Sequence, residues 1–380
     1  MIGSRGDPVV AQVTGGNLIR DQHIRGRWLA GQGHGAARPI SPPPPALRTL
    51  AGRLVTRSLS IAGLTVTMVF AGCGGDKSST TKPQPGSCCA LDGTCSVTTR
   101  ADCAGTWTAG GTCTPNPCPR PPTGMVAIPA GTFSMGSPGE ELWRVSDETQ
   151  HQVILTKPLY VSACEVTQSE WQTMMGWNES SVRGARKPVE QVTWYDAVSY
   201  CNKRSTADGY TPAYTITDAI YDGNHTMSAT VIWDRAANGY RLLTEAEWEY
   251  ACRATSASAF CDGGITIRYC GPLDSNLDRV GWYCGNAWGT THDVGGKSAN
   301  AWGLKDMHGN VWEWCWDRYG PYLGNAADPT GPASGPFPFR VRRGGGWFNY
   351  ASDCRSASRV NYSPDGRSDN LGLRVALTVP

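Results

Sequence analysis

The stretch from Asn300 to Trp316, Asn-Ala-Trp-Gly-Leu-Lys-Asp-Met-His-Gly-Asn-Val-Trp-Glu-Trp-Cys-Trp, constrains this chain more than any other. Past a Gly309-Asn310 turn the residues alternate: Val311, Glu313 and Cys315 fall on one side, Trp312, Trp314 and Trp316 on the other, which is the period of a strand. Three indoles on one face can anchor a core, so this strand is expected at the centre of the fold. Asp306 and Glu313 flank the turn, and that spacing allows two readings. In one, both carboxylates and the carbonyls of the kinked backbone converge on a hard cation. In the other, a Trp-rich hairpin carries solvated carboxylates. Spacing alone favours the hairpin, because the EF-hand pattern is not matched.

At 380 residues the chain has room for one large domain plus appendages. The formal charge is +2, but the first 72 residues hold eight Arg against two acids, which leaves 26 basic and 30 acidic groups in the remainder. No basic stripe is left to track a phosphate backbone, so nucleic acid is not an expected partner. Residues 1–57 are Gly-, Arg- and Pro-rich and lack apolar periodicity; they read as an unstructured or misassigned leader ending in a positive n-region with Arg48, Arg53 and Arg57. Residues 58–73 read as the h-region and lipobox of an exported bacterial lipoprotein, with Cys73 the lipidated residue. The apolar run is too short to cross a bilayer, so membrane contact is expected only through a lipid anchor, at the outer membrane or surface of a bacterial cell envelope.

Residues 74–87 form a Ser/Pro linker, residues 88–118 a Cys-rich mini-module, and residues 119–124 a second linker. Six cysteines in so short an exported segment read as disulfide staples, with fifteen pairings open. From 125 to 380 the composition is globular. Residues 126–136 read as a short strand pair with a glycine turn. Thr167-Gln-Ser-Glu170, Thr193-Trp-Tyr-Asp196 and Thr244-Glu-Ala-Glu247 are capping boxes, each followed by apolar residues at helical spacing. Asp222-Gly223-Asn224 reads as the turn of an inserted hairpin. Beyond Arg253 periodicity fades into loops until the central strand.

These motifs resemble the formylglycine-generating enzyme (sulfatase-modifying factor) family. The matching segments are Ile128–Gly136, Glu165–Gln168, Arg241–Tyr250, Gly309–Trp314, Arg343–Gly345 and Asn370–Arg374, in family order. The resemblance implies an α+β, C-type-lectin-like fold with much irregular loop, here preceded by the small disulfide-rich module. It also implies a structural calcium ion held by the side chains of Asp306 and Glu313 and the carbonyls of Gly309 and Val311, which reverses the hairpin reading. Characterised members convert a sulfatase cysteine to formylglycine with O₂, using copper(I) held by two cysteines five residues apart. Soft copper(I) selects thiolates, yet here the first position is Asn349 and only Cys354 remains. Copper is therefore not expected.

The leading expectation is a calcium-stabilised binding module for an exported protein, peptide or glycan ligand. Its groove would be framed by loops near Trp282–Trp288, Trp347–Tyr350 and Asn361, with Arg343, Trp347, Asn349 and Tyr350 as binding residues. The alternative is a protein-modifying oxidase that acts on a sulfatase cysteine, with Cys354 as its single catalytic thiol. His308, inside the turn, is expected to be exposed. The eight cysteines of residues 125–380 are expected to pair.

Overall fold

The computed structural model describes residues 83–334 and 338–379, all within one unit, Lys77–Pro380. The leader, the h-region, Cys73 and most of the 74–87 linker lie outside the described residues.

Strand β1, Gly86–Cys89, pairs antiparallel with β2, Cys95–Thr98, and on its other edge with β3, Thr106–Ala109. This sheet begins inside the segment read as linker, since Gly86 and Ser87 already belong to β1. Of the fifteen pairings, Cys88–Cys103, Cys89–Cys118 and Cys95–Cys113 are formed. Ser87, Cys88 and Cys118 are its buried side chains besides glycine. The three bridges stand in for a hydrophobic core that the module is too small to build.

The larger domain opens with β4, Met125–Ile128, and β5, Gly131–Met135, followed by β6, His151–Leu155, and β7, Leu159–Ser162. The expected pairing of the first two does not occur: β4 pairs with β7 and β5 with β6. Helices α1, Gln168–Met175, and α2, Trp194–Ala207, precede the hairpin β8, Tyr214–Asp222, and β9, His225–Trp233. Then come β10, Arg241–Leu242, α3, Glu245–Arg253, and α4, Ser275–Val280. The remainder is β11, Trp312–Arg318, β12, Ala326–Ala327, β13, Arg340–Arg343, β14, Arg359–Tyr362, β15, Leu371–Gly372, and β16, Val375–Thr378. Two four-stranded sheets dominate, in the orders β10-β16-β7-β4 and β14-β13-β11-β15.

All three capping boxes form. The hydroxyls of Thr167, Thr193 and Thr244 accept from the backbone N–H three residues on, and the acid at that position reaches back to the cap N–H. Helix α4 has no such sequence signature; its cap is Asp274, whose Oδ1 accepts from Asn276 N and Leu277 N.

Strand β11 separates two apolar clusters. Trp312 and Trp314 are buried in one, with Trp171, Trp194 and Leu371, and Trp316 packs at its edge. Cys315 faces the other, with Trp248, Met307 and Val341. The period-two expectation therefore holds for Trp312, Trp314, Cys315 and Trp316, and the pairing of β11 with β13 shifts register between Trp314 and Arg318. Among the described residues no helix is long and apolar enough to cross a membrane.

Candidate functional site

The turn before β11 is held in left-handed backbone. Asp306, Gly309 and Asn310 have φ of 58°, 112° and 60°. A Cβ on Gly309 would stand 2.0 Å from the Trp282 carbonyl oxygen, so only glycine fits there. Asn310 ties the turn to three loops. Its N–H donates to Trp282 O at 2.7 Å, its carbonyl accepts from Trp347 N at 2.8 Å, and its Oδ1 accepts from His292 N at 2.9 Å.

Of the expected calcium ligands, Glu313 is already committed. Arg374 Nη2 donates to its Oε1 at 2.8 Å, Arg374 Nε lies 3.1 Å from both oxygens, and Trp248 Nε1 donates to Oε2 at 2.7 Å. Both carboxylate oxygens are spent on a buried pair, which makes Glu313 a support for the turn rather than an open ligand. Asp306 differs: Oδ2 accepts from Gly295 N, while Oδ1 is buried without a partner. Glu165, which sequence reasoning did not assign to the site, has the same signature, with Oε1 buried and unpartnered. Burial, and then the neighbouring Asp306 charge, pushes the Glu165 carboxyl well above the usual range; burial raises Asp306 as well. Two buried carboxylates with one unspent oxygen apiece fit a hard cation, which takes oxygen ligands. Neither Gly309 O nor Val311 O has a hydrogen-bond partner among the described residues, and Val311 is fully buried.

The copper position does not fit its metal. Asn349 Oδ1 accepts from Trp312 Nε1 at 2.9 Å and Asn370 Nδ2 at 3.1 Å, and its Nδ2 donates to Asp353 Oδ2 at 3.2 Å. The amide is a structural hub with no soft donor to offer. Cys354 is fully buried, and a Cβ on Gly345 would lie 2.5 Å from its Sγ. Burial first, and then the Asp353 charge, raises its thiol well above the ordinary value, against the thiolate a nucleophile or ligand requires.

His308 is buried, contrary to expectation. Nδ1 donates to Cys354 O at 2.8 Å, which leaves Nε2 to accept from Cys261 N at 3.0 Å, and burial lowers its pKa to about 4. Arg343 also leaves the groove, because it is a fully buried cation paired with Glu249 and with Glu245 at 3.3 Å. Asn361 lines a separate cavity with Tyr319 and Tyr322. Six of the eight cysteines expected to pair are free thiols: Cys164, Cys201, Cys252, Cys261, Cys315 and Cys354. Packing holds four of them inside the cores or beneath the glycine turn, and only Cys270 and Cys284 are joined.

That bridge helps to build an exposed aromatic face. Cys284 N donates to Asn349 O at 3.1 Å and Ser352 N to Arg268 O at 3.2 Å, so three loops are cross-linked. They present Trp288, 82% exposed, together with Phe348, Tyr350 and Tyr269. Tyr269 and Tyr350 meet edge to face at 5.1 Å, and Trp347 Nε1 is anchored on Asp369 O. Beside Trp288, Trp282 stacks on His292 at 3.8 Å with the Lys297 ammonium 4.1 Å from its ring centre. Trp347, Asn349 and Tyr350 are thus brought together, with Asn349 beneath the face and Trp347 and Tyr350 on it.

Residues 112–379 match the family model described as the sulfatase-modifying factor enzyme 1-like domain. The chain belongs to that family. It is 35% identical over 238 residues to the chaperone protein LppX of Paenibacillus barcinonensis, covering 57% of this chain and 79% of the relative. It is 29% identical over 304 residues to the formylglycine-generating enzyme of Streptomyces coelicolor, covering 69% and 92%. Among solved structures, Treponema denticola variable protein 1 aligns with a TM-score of 0.58 at 32% identity, covering 67% of this chain and 95% of that one. The fold is accordingly α+β and C-type-lectin-like, as the sequence resemblance implies.

Proposed function

We propose that this chain is a calcium-stabilised binding module in which the formylglycine-generating scaffold presents an aromatic face to a polypeptide ligand. The observation that carries the reading is Asn349: an amide engaged by Trp312, Asn370 and Asp353 stands where the oxidase chemistry needs a thiolate. The exposed, cross-linked aromatics supply large contact area at low entropic cost, which suits recognition. The name of the relative LppX, a chaperone protein, supports a polypeptide as the ligand. Lipid attachment at Cys73 would hold the module at a bacterial envelope. The competing oxidase reading draws support from the extent of likeness to the Streptomyces coelicolor enzyme.

One assay separates the two. The purified chain is incubated with copper(I), oxygen and a Cys-x-Pro-x-Arg peptide, and the peptide is weighed by mass spectrometry. The binding reading expects no loss of mass. Formylglycine formation that disappears in Cys354→Ala would overturn it.

A further inference from the structure

A cavity of about 890 Å³ opens between the segment before β6 and the loop after β11, and it shares no residue with the aromatic face. Its volume lies near the upper end of the roughly 300–1,000 Å³ of small-ligand sites. Tyr319 and Tyr322 line it, and both rings are fixed from within the fold. The Arg359 guanidinium sits 4.7 Å from the Tyr319 ring centre and 4.0 Å from that of Tyr322, and is itself locked to Glu245 by two bonds of 2.7 Å. Tyr319 also donates its hydroxyl to Asp147 Oδ2, and His151 packs on Tyr322 at 4.5 Å. These platforms are ordered before any ligand arrives, which lowers the cost of binding.

The polar groups around them are unspent. Asn325 Oδ1 accepts from Gln152 N, which leaves its Nδ2 without a partner among the described residues. The Asn361 amide and Asp147 Oδ1 likewise have none among the described residues. His151 Nδ1 lies 3.0 Å from Thr149 O, a carbonyl that can only accept, so Nδ1 carries a proton. The cavity therefore combines aromatic faces with both donors and acceptors. An acyl chain would leave those polar groups dehydrated and unpaired, which opposes its binding. A flat aromatic ligand would use the rings and ignore the amides. A pyranose uses both, with C–H groups against the rings and hydroxyls that donate and accept. Among the described residues Asp147 is the acidic residue of the lining and no Lys or Arg lines it, which disfavours anionic sugars.

We infer that this cavity is a binding site for a short neutral oligosaccharide. The full chain is titrated calorimetrically with maltotriose, cellotriose, mannotriose and chitotriose, and with trigalacturonate as the acidic probe. Saturable binding of at least one neutral trisaccharide is expected at about 1 mM or tighter. Asn361→Ala and Asp147→Asn should each weaken it roughly tenfold without moving the thermal midpoint, while Trp288→Ala leaves it unchanged. The site is refuted if no neutral trisaccharide binds, if the acidic probe binds as well, or if binding ignores both cavity variants. Loss in Trp288→Ala alone would transfer the sugar to the aromatic face and equally end the proposal. The outcome is independent of the oxidase assay.

Discussion

Asn349 shows how one side chain can exchange chemistry for architecture. A thiol accepts hydrogen bonds weakly, so a cysteine there would leave the Trp312 indole and the Asn370 amide without their acceptor. The carboxylates near Asp306 present the opposite case, since they have oxygens to spare. On the proposed reading, calcium would relieve the repulsion between Glu165 and Asp306; without it, burial and that repulsion push the carboxyls toward their protonated forms. Chelator should therefore lower the melting temperature by roughly 5–10 °C, the equivalent of ~2–3 kcal/mol from a well-populated site. Glu165→Gln should abolish that response in scanning calorimetry. Glu313→Gln should instead destabilise the protein by disrupting the Arg374 pair and retain the response. Identical melting with and without calcium would remove the ion from the account.

At the level of elements, the three capping boxes are equivalent in sequence and unequal in structure. The Thr167 hydroxyl serves the start of α1 in a half-buried setting, donating to Glu170. The Thr193 hydroxyl caps α2 and also donates to Thr226 O at 2.9 Å in a buried one, which ties the helix to the β8–β9 hairpin. Thr167→Ala should cost about 1 kcal/mol, and Thr193→Ala about 2–3 kcal/mol because a buried carbonyl also loses its donor. Chemical denaturation of the two variants checks the ranking, and equal losses would contradict it. Caps, the hairpin turn and the period of β11 are legible in the sequence because each is written in neighbouring residues. The partners of β4 and β5 are not, since strand choice depends on segments that the chain reaches only well beyond the intervening turn, β7 for β4 and β6 for β5. Helix α4 is hidden because its only start signal is Asp274 in a stretch without apolar periodicity. The candidate site divides the same way. Asp306 is legible from the turn, whereas Glu165 meets it only through the fold, and its sole signal is a place in a family motif. Arg343 reads as a groove residue because nothing local announces that Glu245 and Glu249 bury it.

Taken whole, the domain is joined by connections that span its length. Strand β16 lies between β10 and β7 in one sheet. Strand β15 runs parallel to β11 in the other, with Glu313 opposite Gly372. Arg374, between them, closes the pair with Glu313 and donates to Ser162 O and Lys305 O. Deleting residues 375–379 should abolish cooperative melting, because β10 and the β4–β7 pair would lose the strand that unites them; a truncated chain with an intact, two-state transition would contradict this. The same placement sets an order on biosynthesis. A ribosome releases the N-terminal strands long before the strand that joins them, so the β10-β16-β7-β4 sheet cannot close until residues 375–378 have been made. Until then β10 stays apart from the β4–β7 pair, however complete the helices and hairpins between them already are.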